Sequence, residues 1–301
     1  MLGSRTSPYL QAKLVLLAAE NVYAHVPPLV ASLLGITVST SQVYRRTQAV
    51  AEALPTAELE RPCPEAQAAA GPVYGMVDGS MLFTDAGWQE VKVGRVFQVP
   101  DAPAPERRPL GPSQYVAQRG PCATFKARFE RVLPPDAQRE QVFVTDGALW
   151  LKNWLEESYP HATHILDFYH VAEKLAAAAH TAQAPAAWLS TQYERLWTGQ
   201  SPRVERAVEA LAGLPAEQAD ALRGYLRTNR RRMRYNVFRQ RGLLCGSGPI
   251  EAAHRTLLQV RLKRSGQRWS EGGLDRLVKL RTALKSPQQH LVLNLLKKTA
   301  A

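Results

Sequence analysis

The chain has 301 residues, 45% of them apolar, and a net charge of +12, enough chain to bury the core of one large domain or two modest ones. Its early apolar run, Leu14 to Ala19, is too short to span a bilayer. Leu10, Leu14, Leu17 and Asn21 trace one face of an amphipathic helix, which excludes a secretory signal there.

Cys63, Cys122 and Cys245 show no CxxC or Cys/His ligand spacing, so neither a disulfide framework nor a zinc site is expected, and a reducing cytoplasm is the default location. The positive charge is local. Residues 223–285 hold 17 Lys and Arg against three acids, a balance of +14 that leaves the rest of the chain at −2. Such a segment can neutralise phosphates, which makes a polyanion, with nucleic acid foremost, the expected partner.

Residues 1–54 read as helical. A first helix is expected from Pro8 to Ala24 and a second from Pro28 to Leu34, and Gly35 breaks the second. Ser39 or Thr40 then caps a third helix carrying Gln42, Tyr44, Arg45, Arg46 and Gln48, in a helix-turn-helix-like outline. Residues 55–71, with Pro62 and Pro64, read as a linker. Val73 to Val77 form an apolar strand expected to finish on Asp78, and Thr84-Asp85-Ala86-Gly87 is a hairpin turn. Glu90 to Phe97 alternate as a second strand, apolar on one side and charged on the other. A proline-rich loop, Pro100 to Pro112, carries Arg107 and Arg108. Tyr115 to Gly120 supply a third strand, and Thr124 to Leu133 a helix with Phe125, Phe129 and Val132 on one face.

Val142, Phe143 and Val144 end at Thr145-Asp146-Gly147, a buried strand that delivers Asp146 to its C-terminal end. Leu149, Leu151, Trp154 and Leu155 recur at helical spacing up to Pro160, and the run Thr163 to Leu166 ends on Asp167. This strand-helix-strand unit implies parallel neighbours, with ligands gathering beyond the carboxyl ends. Asp146 also suits a plain cap of the following helix. Helices follow over Val171 to Thr181, Pro185 to Trp197, Val204 to Leu214 and Ala216 to Asn229. After the break at Gly246-Ser247-Gly248-Pro249, a helix carries Glu251 in its first turn. Ala253, Leu257, Leu258 and Val260 are expected inward there, with Arg255, Arg261 and Lys263 outward. A last helix spans Glu271 to Lys285, before an amphipathic tail over 286–301.

An antiparallel three-strand start followed by alternating helices and parallel strands matches a ribonuclease H-like α/β core, a mixed five-stranded sheet. The expected organisation is a helical region over 1–54, a linker over 55–71 and the first part of the core over 72–174. An all-α insertion fills 175–245, and core helices with the third acid fill 246–285. In such a fold strands one and four adjoin, so Asp78 and Asp146 meet, and paired carboxylates repel unless a cation lies between them. Two Mg2+ ions are the natural occupants, holding the oxygens of an in-line phosphoryl transfer. Glu251 would complete the set, although a first-turn glutamate also stabilises a helix by roughly 0.3–1 kcal/mol through the dipole alone. Arg45, Arg46, Arg230, Arg231, Arg232, Arg234, Arg255, Arg261, Lys263, Arg264 and Arg268 are the candidate DNA contacts.

Six stretches in register carry a resemblance: Asp78-Gly79, Trp88 to Gly94, Thr145 to Ala148, Asp167 to His170, Gly246 to Glu251 and Arg261 to Ser270. Over roughly residues 8–285 the chain resembles the transposases of bacterial insertion sequences, closest to the ISKra group allied to the Mutator-like elements. The resemblance implies a DDE transposase with Asp78, Asp146 and Glu251 as ligands of Mg2+, for which Mn2+ can substitute. It would cut the element's ends in double-stranded DNA and join them to a target, as a homo-oligomer on DNA in the nucleoid. Asp167 and His170 fall on the family's DxxH signature, which implies a supporting role. Family members commonly carry more chain ahead of the helix-turn-helix-like region, including a cysteine-rich zinc segment. The resemblance therefore implies a shortened copy with its acidic triad intact. A DNA-binding remnant without catalysis and a nuclease of the same fold without strand transfer are the alternatives.

Overall fold

The computed structural model describes residues 6–64, 71–99, 110–135 and 139–298; Arg107 and Arg108 lie outside them. It is a mixed α/β protein with a five-stranded mixed sheet and fifteen α-helices among the described residues. Packing divides the chain into two units, Met1–Arg139 with Ile250–Ala301, and Glu140–Pro249. Composition suggested breaks at 54, 71, 174 and 245; packing groups the chain differently. Among the described residues, no helix is long and apolar enough to cross a membrane.

In the first unit, α1 (Pro8–Glu20), α2 (Val26–Leu34) and α3 (Thr40–Ala53) enclose Leu14, Ala18, Val26, Val30, Val38 and Val43. The Ser7 hydroxyl caps α1, the Ser39 hydroxyl caps α3, and Gly35 ends α2 at φ +65°, a left-handed position that costs glycine little. These helices pack on α14 (Glu271–Lys285) and α15 (Gln289–Lys298).

The seam is polar. Arg261 donates from Nε to the Ala18 carbonyl at 3.0 Å, and its guanidinium lies 4.8 Å from the Tyr23 ring and 5.2 Å from that of Trp269. Arg281 donates to the carbonyls of Ala19, Thr256 and Leu257 and pairs with Glu20 at 3.2 Å. The last carbonyls of a helix have no partner within it, and two buried arginines from the far end of the chain satisfy those of α1.

Strands β1 (Val73–Thr84) and β2 (Gly87–Gln98) form a long hairpin, and β3 (Ser113–Arg119) extends it, all antiparallel. The expected turn at Thr84 to Gly87 is present, but β1 does not stop at Asp78. Asp78 lies mid-strand opposite Val93, because the pairing continues through Ser80–Val91 to Thr84–Gly87. The expected charged face of β2 is also corrected, since Lys92 and Arg95 are buried. Lys92 Nζ bonds Glu90 and the Gly120 carbonyl, and Arg95 bonds Ser113 Oγ while lying over Phe97. At Gly94 a Cβ would come within 2.5 Å of Phe129, so glycine lets α5 (Cys122–Val132) seat Phe125 and Phe129 on the sheet.

The stretch read as a linker is anchored as far as Pro64. It contains the short helix α4 (Thr56–Leu59), its Leu59 and Cys63 are buried, and Glu60 is buried with Arg128 at 2.6 Å. The Gln114 amide donates to the carbonyls of Leu59 and Arg61 and accepts from the Cys63 N–H. Residues 65–70 lie outside the described set.

In the second unit, β4 (Gln141–Thr145) and β5 (Thr163–Leu166) are parallel and joined by α6 (Leu149–Ser158). Leu151, Trp154 and Leu155 of α6 are buried, whereas Leu149 is exposed. Then come α7 (Phe168–Thr181), α8 (Ala186–Trp197), α9 (Ser201–Glu209), α10 (Ala216–Thr228) and α11 (Tyr235–Gln240), with an aromatic cluster of Phe168, Trp197 and Tyr235 between them. Tyr235 donates to the Leu166 carbonyl at 3.0 Å and Arg232 to Thr145 Oγ1, which ties these helices to both strands.

Replacing Arg281 strips the buried carbonyls of Ala19 and Leu257 of a donor, each loss worth about 1–3 kcal/mol, and the part-buried Thr256 carbonyl of another. Arg281→Met should lower unfolding stability by about 3–5 kcal/mol in denaturant titration, whereas Arg264→Met, at an exposed position, should change it by less than about 0.5 kcal/mol.

Candidate functional site

Two groups of polar side chains answer to the acids singled out in the sequence, one in each unit. In the first, Val73 to Val77 are buried, and burial relaxes at Asp78, whose side chain is 39% exposed. Its Oδ1 accepts the Gly79 N–H at 2.7 Å, and its Oδ2 lies 3.4 Å from His254 Nε2.

His254 closes α12 (Gly248–His254), the helix that carries Glu251 in its first turn. A π-helical turn, Arg255–Gln259, leads into α13 (Val260–Leu262). A π turn holds more residues than an α turn, and burial accordingly repeats every four residues: Ala253-His254, Leu257-Leu258, Arg261-Leu262. The expectations for Val260 and Arg261 are corrected for this reason. Val260 is turned to solvent and Arg261 into the core.

Burial pushes the His254 imidazole below its ordinary pKa, the Asp78 charge pulls it up, and Lys263 adds to the depression. No formed hydrogen bond reaches either ring nitrogen among the described residues. The i to i+3 spacing of Glu251 and His254 puts both on adjoining turns, a signal that sequence reading passed over.

In the second unit, Asp146 follows β4 and Asp167 follows β5, at the carboxyl ends of the parallel pair. Asp146 Oδ1 accepts the Ala148 N–H at 2.9 Å, a turn bond ahead of α6 and not the expected cap, since Ala148 is itself the N-cap residue and no side chain caps the helix. Gly147 has φ +86°, and a Cβ there would meet Leu166 at 2.7 Å and the Tyr225 hydroxyl at 2.9 Å, so only glycine passes the chain. That hydroxyl donates to the Asp146 carbonyl, and burial, with the Asp146 charge, raises its pKa.

Asp167 is fully buried. Its Oδ1 accepts the N–H groups of Tyr169 and Ser247 at 3.1 Å each, and its Oδ2 lies 2.9 Å from His170 Nδ1. Burial pushes the Asp167 carboxyl up, but the bonds from His170, Ser247 and Tyr169 outweigh it and hold the group below its ordinary value. The same bond to Asp167, helped by the Asp146 and Glu173 charges, raises His170 above its ordinary value. His170 is thus a partly exposed imidazole whose other ring nitrogen, Nε2, Asp167 orients.

The candidate DNA contacts divide by exposure. Arg45, Arg255, Lys263 and Arg264 are exposed in the first unit, with Arg46 half-buried and Arg268 paired to Asp85 at 2.8 Å. Arg231 and Arg234 are exposed in the second, with Arg230 paired to Glu205 at 2.8 Å. Arg261 and Arg232 are corrected as phosphate contacts, because both side chains are buried and bond acceptors inside the protein. Among the described residues, no group of three or more His, Cys, Asp or Glu side chains is gathered to hold a metal ion. Compared with known protein families and with curated proteins, the chain matches none.

The Asp167–His170 pair sets a pH dependence. His170, raised, stabilises the fold below its unfolded value near ~6.5, and that contribution is lost as pH rises through the higher folded value. Asp167, lowered, contributes above its unfolded value near ~3.9 and loses it as pH falls through the folded value. Stability from the pair should therefore be greatest between about pH 4 and 6.5. Asp167→Asn should flatten that window in denaturation across pH and move the His170 imidazole titration, read by NMR, down towards its ordinary value.

Proposed function

We propose that the chain is a metal-dependent DNA transposase with a ribonuclease H-like core, in which residues 175–245, with α8 to α11, form an all-α insertion. The observation that carries this proposal is the approach of His254 to Asp78 within one unit, which sets the helix bearing Glu251 against the strand bearing Asp78, 173 positions away in the chain. The exposed cations Arg255, Lys263 and Arg264 follow on that same helical segment and its exit, where a phosphate backbone would be met.

Asp78, Glu251 and Asp146 are the three acids proposed to work together. Their oxygen donors suit Mg2+, with Mn2+ able to substitute, and the ions when bound would supply Lewis-acid activation of a phosphodiester and of the attacking water or hydroxyl. The chain's own part is to present the carboxylates, with His254 packed beside Asp78. Exposed arginines and lysines take up the DNA backbone, and Asp167 aims His170 at the reacting strand or its surroundings. Double-stranded DNA is the proposed substrate, both element ends and target, handled by a homo-oligomer in the nucleoid.

A second reading is a DNA-binding remnant without catalysis, in which the exposed Arg255, Lys263 and Arg264 meet the phosphate backbone and the acids do no chemistry. A nuclease without strand transfer would give cut ends that never join a second DNA.

Purified protein with Mg2+ and DNA carrying candidate end sequences should yield nicked and joined products. Asp78→Ala and Asp146→Ala should each lower product formation by at least about a hundredfold while leaving gel-shift affinity within about threefold, as loss of a group needed only in the transition state does. Cleavage unchanged in either variant would remove that residue from the site, and binding without products in either Mg2+ or Mn2+ would favour the remnant.

A further inference from the structure

The tip of the β1–β2 hairpin carries three large apolar side chains in water, Met81, Phe83 and Trp88, at 44%, 38% and 59% exposure. Alternation explains the two strand faces. Leu82 and Thr84 point to the buried side of β1, so Met81 and Phe83 share the other, where Phe83 stands opposite Trp88 and the two rings lie 5.2 Å apart. Exposing these groups costs the hydrophobic stabilisation their burial would provide, and nothing in the hairpin's geometry requires aromatics there.

The tip is rigid. Thr84 Oγ1 bonds the Gly87 carbonyl and the Ala86 N–H, and the segment before α14 is stitched to it. Trp269 donates to the Phe83 carbonyl at 3.2 Å and accepts the Asp85 N–H at 2.8 Å, while its indole is buried and bonded to the Leu262 carbonyl. That stitching brings in cations. Arg268 lies 5.9 Å from the Phe83 ring and holds the Asp85 carboxylate, and Lys263 and Arg264 are exposed on the same segment. The acids nearby are already neutralised, Asp85 by Arg268 and Glu90 by Lys92.

We infer that this hairpin tip is a stacking platform for unpaired DNA bases, with Trp88 and Phe83 receiving the ring of a base and the Lys263–Arg268 segment its flanking phosphates. The inference rests on the DNA reading above and deepens it by naming the form of DNA this surface takes. Three side chains are too few for a stable protein interface, which needs about 800 Å² from each partner. They match the flat face of a base, and the adjacent cations match the backbone that accompanies it. A rigid aromatic loses little entropy on binding, which is what a platform requires.

The test compares oligothymidine with a blunt duplex of equal length in fluorescence-anisotropy titrations, using the full chain. Trp88→Ala should weaken oligothymidine binding about tenfold or more, the scale of one lost base stack, while duplex affinity stays within about twofold. Trp88→Phe should restore most of the loss, and Arg264→Ala should reduce the salt slope for both probes by about 1. Equal binding of oligothymidine by Trp88→Ala and the parent overturns the platform, as does equal weakening for both probes. Self-association that Trp88→Ala abolishes in light scattering also overturns it, in favour of a second copy of the chain as occupant. If the parent binds the duplex but not oligothymidine, the platform fails and the DNA reading stands; if it binds neither, both fail.

Discussion

Two buried arginines at the end of α1 hold the first unit together. Arg261 and Arg281 reach from α13 and α14 to the carbonyls of Ala18 and Ala19, and Arg281 also takes those of Thr256 and Leu257. A helix end is costly unless its acceptors are satisfied, and here the two guanidiniums supply the donors. The arrangement locks the first helices onto the π turn and α13, and through them places α12, with Glu251 and His254, against β1. The position of the candidate acids therefore depends on a helix cap whose donors lie some 240 residues away in the chain.

The two polar groups illustrate opposite uses of a histidine beside a carboxylate. His254 is buried, so desolvation outweighs the pull of Asp78 and holds the imidazole below its ordinary pKa. His170 is open to solvent while its partner Asp167 is buried and bonded by two backbone N–H groups, so the carboxylate stays ionised and draws the proton to the ring. The same residue types, at comparable separations, differ because the burial falls on the imidazole in one case and on the carboxylate in the other. An oriented, partly exposed imidazole suits a group that meets a substrate.

Much of the architecture was legible because it is governed by local chemistry. The helix ends at Gly35 and Tyr159, the serine caps, the Thr84 to Gly87 turn and the bounds of α14 follow from side chains a few residues apart. So does the strand-helix-strand unit over 141–166, whose apolar runs and Pro160 are unambiguous. The misses share a cause. Asp78 looked like the end of its strand because the pairing of Asp78 with Val93 and of Gly79 with Lys92 is invisible until β2 lies beside it. Lys92 and Arg95 looked like a solvent face because the acceptors that let them be buried are on distant segments. Arg261 and Val260 exchanged places because a single π turn resets the helical phase, and no local signal in Arg255 to Gln259 announces it.

What the amino-acid sequence by itself determined about this protein is the type and order of its elements, the placing of Asp146 and Asp167 just beyond their strands, and the concentration of positive charge after Arg223. These depend on periodicity, capping and composition, which act over a few residues. Tertiary structure alone decided which cations are exposed and which are buried, that Asp78 faces a buried histidine from the helix of Glu251, and that Phe83 and Trp88 stand in water beside Arg268. Those are matters of desolvation and of partners, and a side chain's partner can lie anywhere along the chain until the fold has chosen it.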